Sequence, residues 1–283
     1  MKITLTAGKR RSWLLSCLLL AGSLLASAVQ AQDNSFKLGI APHTSARVIL
    51  EMYQPLRQYL ERSLGVPVEV ETAPDFTEFG RRALNQEYDL AVTTGHQARL
   101  YQTDAGYLPL LTYQADFKAV ALVAKDSKYR KPADLRGTTI LALSPSSLVS
   151  LWGVHWLKSN NVGEITTRYV SAADSVARQV LAGDAALAFT SLANFQKLPA
   201  EQREALRILA ESEPMAGRVY VLNKRQGAAR AKIEAALWSF AASDEGKKYF
   251  EQNKLDGYRK LRPRELEAME PYAAETRQVI RGK

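Results

Sequence analysis

The feature that most constrains the fold is a regular alternation of short apolar runs with segments of helical periodicity. Apolar runs at 36–41, 66–72 and 88–93 each have the length and composition of a β-strand. Between them, apolar residues recur at helical spacing. One of these helices ends at Gly65 and contains Pro55, which is expected to kink or interrupt it. This order of strands and helices is typical of a parallel β-sheet covered by helices.

The same order returns in the second half of the chain. Four further strands are expected there, at 118–124, 139–143, 167–170 and 185–189. A strand at 219–222 then begins a largely helical C-terminal part. The two halves are not separated by a linker-like segment, which favours two lobes joined by crossing strands.

Two lobes connected in this way can close around a ligand. The sequence therefore predicts an α/β protein with two lobes, each a mainly parallel sheet flanked by helices. Lobe 1 would comprise residues 32–114 and, after the chain returns, residues 213–283 with the C-terminal helices. Lobe 2 would comprise residues 115–212.

The first 31 residues have the layout of a secretory signal peptide. Basic residues at 9–11 precede an apolar run at 13–29, and small residues allow cleavage after Ala31. A membrane anchor is the alternative, but the run falls short of the about 20 strongly apolar residues that a span prefers. Arg10 and Arg11 also resemble a twin-arginine signal, so both export routes stay open. The mature protein is expected in the periplasm.

Composition excludes several functional classes. The formal net charge is +9, but four positive charges lie in the predicted signal peptide and the others are dispersed, so no nucleic-acid partner is expected. Cys17, the one cysteine, also lies in that peptide, which leaves the mature chain without thiol chemistry. Nucleophile-elbow, Walker and His-Glu-x-x-His motifs do not occur in the sequence. We therefore expect no enzymatic activity and no cofactor.

Hydroxyl side chains recur in the loops at the carboxyl ends of the predicted strands, where open α/β sheets bind ligands. Four of these loops lead into predicted helices, and each helix N-terminus contributes about 0.3–1 kcal/mol to anion binding. With hydroxyl donors they could hold a small oxyanion without an arginine. The alternative is that these side chains are ordinary N-caps. The candidate ligand-binding residues are Thr44, Ser45, Asp75, Phe76, Thr93, Thr94, His96, Ser144, Ser146, Ser147, Thr190 and Ser191.

Histidine and aromatic side chains near these loops are further candidates. His43 and His96 lie in the loops, and hydrogen bonding to a ligand is favoured over metal binding because no spacing typical of metal ligands occurs. No metal site is expected. Phe76, Tyr113 and Phe117 could pack on an organic part of the ligand, with plain core packing as the alternative.

The segment YQPLRQYLE at 53–61, followed by Leu64 and Gly65, resembles the phosphate/phosphite/phosphonate-binding proteins of ABC importers. Four other segments fall at matching places in that pattern: 36–42, 73–76, 88–91 and 134–137. The similarity covers nearly all of the mature chain. It implies a type II periplasmic-binding-protein fold, in which two lobes close on a ligand like a flytrap.

The family binds its anion with an aspartate-proline-x-serine-threonine-serine-glycine segment at a helix start, which residues 144–150 match in part. Pro145 and Ser147 are retained, whereas Leu148 and Val149 replace the threonine and the second serine. This departure identifies a divergent member of the family.

Three other family positions also differ in this chain. The aromatic residue after the aspartate is Phe76, without a phenol hydroxyl, and a tyrosine at the end of the third strand corresponds to Thr93. A family histidine corresponds to Ala173, with Ser175 beside it as a further candidate ligand-binding residue.

The resemblance implies a monomeric solute-binding protein that captures a small phosphonate- or phosphate-like oxyanion and delivers it to a membrane ABC permease. A periplasmic sensor that reports the ligand to a membrane histidine kinase or chemoreceptor is the alternative. An enzyme built on the same fold is the third hypothesis.

Overall fold

Two β-sheets carry the fold of the computed structural model, which describes residues 35–170 and 175–282. The strands are β1 (Phe36–Ile40), β2 (Val68–Glu71), β3 (Leu90–Thr94), β4 (Leu108–Tyr113), β5 (Ala119–Ala124), β6 (Thr139–Ala142), β7 (Thr166–Tyr169), β8 (Leu187–Ser191), β9 (Leu206–Glu211), β10 (Arg218–Leu222) and β11 (Tyr258–Arg259). The first sheet has the order β11-β4-β10-β3-β1-β2, and the second has the order β7-β6-β8-β5-β9. Below, lobe 1 means the part built on the first sheet and lobe 2 the part built on the second.

Helices fill most of the connections between strands. They are α1 (Ala46–Leu64), α2 (Phe76–Leu84), α3 (Gly95–Ala105), α4 (Leu148–Ser159), α5 (Val176–Leu181), α6 (Leu192–Gln196), α7 (Ala200–Glu204), α8 (Arg230–Ala242), α9 (Asp244–Asn253) and α10 (Glu270–Ile280). Short 3-10 turns lie at Pro132–Leu135, Lys224–Ala229 and Glu267–Met269. The predicted signal peptide at 1–31 and Ala173 lie outside the described residues.

Each sheet is parallel only where strand–helix–strand units build it. β1 pairs in parallel with β2 and β3, and β6 pairs in parallel with β7 and β8. β10 runs antiparallel between β3 and β4, and β5 runs antiparallel between β8 and β9. The prediction of mainly parallel sheets is wrong in this detail. Strands by which the chain enters a lobe need no crossover helix, so they can pair antiparallel.

The first helix runs through its proline without a break. α1 extends from Ala46 to Leu64 with Pro55 inside it, and Gly65 ends it in the left-handed conformation at φ 75°. The prediction that Pro55 could interrupt this helix is wrong. Its buried residues Tyr53, Leu56 and Leu60 pack into the lobe 1 core, and this burial offsets the hydrogen bond that a proline removes.

One apolar cluster runs through both lobes. It contains Phe76 and Phe79 from lobe 1 together with Leu148, Trp152 and Phe189 from lobe 2. Each lobe also has a cluster of its own, one beneath α1 and one beneath α5. The described chain therefore has its two lobes in contact, with buried apolar side chains at their junction.

The C-terminal helix contacts both lobes. α10 packs against α2 and α3 of lobe 1 and against α4 of lobe 2. On α4, His155 Nε2 lies 2.6 Å from Glu275 Oε1, and its ring stacks on Tyr272 at 4.9 Å between centroids. This helix therefore bridges the lobes on one side. None of the described helices has the length and hydropathy that crossing a bilayer would require.

Candidate functional site

A cavity of about 80 Å³ lies between the two lobes. It is lined at the carboxyl ends of β3 and β8 and just beyond those of β1 and β6, the edge at which open α/β sheets bind ligands. Its volume accommodates a few water molecules or one small solute. Five of the predicted ligand-binding residues line it: Phe76, Thr93, Thr94, Ser147 and Ser191.

The N-terminus of α4 forms part of the lobe 2 side of the cavity. Ser147 is the N-cap, and its hydroxyl accepts a hydrogen bond from the Ser150 amide at 3.4 Å. Leu148 and Val149, the first two helical residues, also line the cavity. Amides at these positions have no acceptor within their helix. Leu148 and Val149 have no side-chain hydroxyl, but their backbone N–H groups therefore remain available as donors. The N-terminus of a helix also favours an anion.

Two threonines end β3, and their hydroxyls differ in what they bind. Thr93 Oγ1 donates to Gln97 Oε1 at 2.6 Å, so its proton is already used. Thr94 occupies the N-cap position of α3 without capping it, and none of the described residues forms a hydrogen bond with its buried Oγ1. Because buried polar groups are normally hydrogen-bonded, Thr94 is the better placed of the two to donate to a bound molecule.

Arg218 brings a positive charge into the cavity that sequence reasoning did not predict. It is the first residue of β10, its Nη1 is buried without a hydrogen-bond partner among the described residues, and its guanidinium lies 6.0 Å from the Tyr113 ring centroid. No carboxylate of the described residues pairs with it. An arginine at the head of the apolar run 219–222 is the sequence signal that could have indicated this role. The hydroxyl and helix-end donors that the sequence indicated are therefore accompanied in this cavity by an arginine.

Three other charged residues line the cavity: Asp116, Lys118 and Lys254. Asp116 lies 3.9 Å from both Arg259 and Arg262, so positive charge already faces it. Lys118 is paired at 2.6 Å with a glutamate of β9. The lining thus has an excess of positive charge, which suits an anion. Among the residues that the structure describes, no three His, Cys, Asp or Glu side chains gather as metal ligands would.

His43 follows β1 and faces the same cavity. Its Nδ1 lies 2.9 Å from the carbonyl oxygen of Ala41, and its Nε2 is buried without a partner in the part of the chain that the structure describes. Burial, and then the positive charge of Arg218, lower the pKa of His43 well below the usual 6.5. The imidazole is therefore neutral at pH 7.

Ser146 and His96 join the two lobes and do not line the cavity. The Ser146 hydroxyl lies 2.9 Å from Thr77 Oγ1 on α2, and its carbonyl oxygen lies 2.9 Å from His96 Nε2 on α3. Burial lowers the pKa of His96 to about 4, and the hydrogen bond to Ser146 opposes this only in part. His96 is therefore neutral at pH 7 and donates to the carbonyl oxygen of the other lobe.

Three predicted residues near the strand ends do not line the cavity. Asp75 caps α2 by accepting hydrogen bonds from the amides two and three residues further on, at 2.8 and 2.9 Å. Ser144 Oγ lies 3.2 Å from Ser146 Oγ. Thr190 Oγ1 is buried without a protein partner. The alternative of an ordinary N-cap therefore explains the hydrogen bonds of the Asp75 carboxylate.

Three further predicted residues lie at helix starts away from the cavity. Thr44 lines a separate pocket beside Lys197. Ser45 occupies the N-cap position of α1, and its side chain makes no capping hydrogen bond. Ser175 precedes α5, and its hydroxyl accepts from Gln179 Nε2 at 3.3 Å.

Aromatic rings supply an apolar wall. Phe76, Tyr113 and Phe117 all line the cavity, as their positions near the strand ends suggested. Ser191 lines it as well, and its hydroxyl caps α6 by accepting from the Asn194 amide at 3.1 Å. The cavity therefore combines hydrogen-bond donors and positive charge with a surface for an organic substituent.

Residues 38–266 match the family described as ABC transporter, phosphonate, periplasmic substrate-binding protein. Among solved structures, PhnD1 from Prochlorococcus marinus (MIT 9301) in complex with methylphosphonate is 12% identical, with a TM-score of 0.76 over 87% of this chain and 100% of that chain. XAC2383 from Xanthomonas citri bound to chloride ion is 20% identical, with a TM-score of 0.72 over 88% of this chain and 99% of that chain.

A third similar structure is the binding protein component of an ABC phosphonate transporter (PA3383) from Pseudomonas aeruginosa. It is 16% identical, with a TM-score of 0.74 over 88% of this chain and 89% of that chain. No curated protein matches this chain in sequence. The structural similarities confirm the predicted α/β fold with two lobes, that of the type II periplasmic binding proteins.

Proposed function

We propose, from the premise that this chain belongs to the family of periplasmic substrate-binding proteins of phosphonate ABC transporters, that its cavity captures a small phosphonate- or phosphate-like oxyanion. Proteins of this family bind a small ligand for an ABC permease and are not enzymes. Export by the predicted signal peptide at 1–31 and action as a monomer are parts of the same proposal. So is the division into lobe 1 at 32–114 and 213–283 and lobe 2 at 115–212.

The observation that carries the proposal is Arg218. A guanidinium remains charged at all physiological pH values, and removing it from water is unfavourable unless an anion or hydrogen-bond acceptors compensate it. Arg218 lines the cavity with a buried Nη1 that has no hydrogen-bond partner in the described part of the chain. An oxyanion in the cavity would supply the missing acceptor and the missing negative charge.

Other groups around the cavity support the same ligand class. The amides of Leu148 and Val149 and the hydroxyl of Thr94 are donors with no acceptor among the residues that the structure describes. Phe76 and Phe117 offer an apolar surface to an organic substituent. The methylphosphonate bound to PhnD1 of Prochlorococcus marinus has this combination of an oxyanion and a small alkyl group.

The test is calorimetric titration of protein that has been unfolded and refolded to remove carried-over ligand. Methylphosphonate is expected to bind the unaltered protein with one site per chain. Arg218→Gln should weaken this binding about 10- to 100-fold, because a hydrogen bond to a charged group contributes about 1.5–3 kcal/mol. Arg168→Gln is the matched control, since it removes an equal charge from the exposed strand β7.

Equal losses of affinity in the two variants would show that only the overall charge matters. No heat of binding with methylphosphonate, inorganic phosphate or phosphite, together with no shift in melting temperature, would contradict the proposal.

A further inference from the structure

The cavity contains an acceptor as well as donors, and this acceptor is the Nε2 of His43. A carbonyl oxygen carries no proton, so the ring nitrogen that faces it must be the protonated one. In His43 this nitrogen is Nδ1, 2.9 Å from the oxygen of Ala41. In the neutral ring Nε2 then carries a lone pair and no proton. This Nε2 is buried and has no hydrogen-bond partner within residues 35–170 and 175–282.

The charged groups around His43 keep the ring in this neutral form. Arg218 on β10 and Lys197 after α6 both act on it as positive charges, and Lys254 lines the same cavity after α9. On α1, Tyr53 lies with its ring centroid 6.1 Å from that of His43. Asp116, the carboxylate that lines the cavity, lies 3.9 Å from the guanidinium groups of Arg259 and Arg262. Protonation of His43 would therefore add a positive charge to a site that already contains several.

We propose that His43 selects oxyanions that still carry a proton: its Nε2 accepts the P–OH hydrogen of a phosphonate monoanion, while Arg218 pairs with a deprotonated oxygen of the same group. This inference rests on the proposed function and adds to it the protonation state and chemical class of the ligand. A fully deprotonated group has only acceptor oxygens and cannot form a hydrogen bond with the unprotonated Nε2. The position next to His43 therefore excludes such a group.

Phosphonates and sulfonates differ in this respect at neutral pH. A phosphonate loses its second proton near neutrality, as phosphate esters do, so a monoanion with one P–OH group is available. A sulfonate has a similar shape and one negative charge but carries no proton at this pH. Next to an unprotonated Nε2, a sulfonate oxygen would bring two acceptors together, whereas the P–OH group would form a hydrogen bond.

The experiment compares methylphosphonate with methanesulfonate by calorimetric titration at pH 7. The unaltered protein should bind methylphosphonate about 10- to 100-fold more tightly, the effect of one hydrogen bond to a charged group. His43→Asn retains a side-chain amide that can donate to the Ala41 carbonyl, and its shorter side chain leaves no acceptor at the position of Nε2. This variant should bring the affinity ratio close to one, mainly by weakening methylphosphonate binding. His155→Asn, a histidine on α4 outside the cavity, should leave the ratio unchanged.

Proton counting gives a second measurement that does not depend on a variant. Titrations at pH 8 in buffers of different ionisation enthalpy should show proton uptake when methylphosphonate binds and none when methanesulfonate binds. Equal binding of both ligands by the unaltered protein, equal changes for both in His43→Asn, or equal proton uptake would overturn the inference and leave the proposed function standing. Failure of both ligands and of inorganic phosphate to bind would instead contradict the proposed function.

Discussion

At the level of single residues, this chain buries two histidines in neutral form and holds each against a backbone carbonyl. His43 faces Ala41 and His96 faces Ser146, both at 2.9 Å. The pKa of His96 is about 4 in the folded protein, against 6.5 for an unperturbed histidine. Between these values the unfolded chain binds more protons than the folded one. The stability that His96 contributes is therefore complete above pH 6.5 and is lost as the pH falls toward 4.

This shift predicts a specific loss of stability in acid. At pH 5, protonation of His96 in the unfolded chain should lower the free energy of unfolding by about 2 kcal/mol relative to pH 7. His96→Gln retains an amide donor for the Ser146 carbonyl and removes the titrating ring. Urea unfolding at both pH values should therefore show a smaller acid loss in this variant than in the unaltered protein. An identical pH dependence in the two proteins would contradict the assignment of a buried neutral His96.

Only some of the residues that line the cavity could be predicted from the sequence. Thr93, Thr94 and Ser147 were predicted because they follow strands, and the structure brings them to one cavity. Arg218 was not predicted, because its role depends on β10 returning between β3 and β4. Ser146 lies next to Ser147 but joins the lobes, because its side chain points to Thr77. Which of two adjacent hydroxyls reaches the cavity depends on packing, and periodicity does not report it.

At the level of elements, the strand–helix–strand units were predictable, as were the antiparallel strands β5 and β10, whereas three other antiparallel strands were not. β1 to β3 alternate with amphipathic helices, and this periodicity predicts them. β4, β9 and β11 were missed. β9 is half-buried without a regular alternation, and β11 has two residues. Their partners come from distant parts of the chain, so no local pattern indicates the pairing.

Helix α4 has a requirement for glycine that bears directly on the cavity. A Cβ at Gly153 would lie 2.4 Å from two ring carbons of Phe189 on β8. Glycine therefore allows α4 to approach the sheet closely, and this approach positions the amides of Leu148 and Val149 at the cavity. The helix start thus depends on packing between one and two turns further along.

Gly153→Ala should move α4 away from β8. We expect a loss of about 1–3 kcal/mol in the free energy of unfolding, the usual effect of overpacking, and weaker methylphosphonate binding. Gly227→Ala is the control, because a Cβ there has no atom within 4 Å. Urea unfolding and calorimetry on both variants would measure the two effects. If Gly153→Ala bound methylphosphonate as tightly as Gly227→Ala, the cavity would not depend on this packing.

At the level of the whole molecule, three kinds of contact join the two lobes. Ser146 forms hydrogen bonds with two helices of lobe 1, one through its hydroxyl and one through its carbonyl oxygen. Helix α10 bridges the lobes through Glu275 and His155. An apolar cluster fills the junction. The cavity lies within this closed arrangement and takes residues from both lobes. Hinged closure of two lobes around a ligand is a recurrent way to enclose a solute.

The proposed binding of an oxyanion at the start of α4, between the lobes, can be observed residue by residue. Its most direct test is a ¹H–¹⁵N NMR titration of ligand-stripped protein with methylphosphonate. We expect the signals of the Leu148 and Val149 backbone amides and of the Arg218 side-chain Nε–H to shift most strongly and to saturate at one ligand per chain. A titration in which these signals stay in place while signals from another surface move would contradict it.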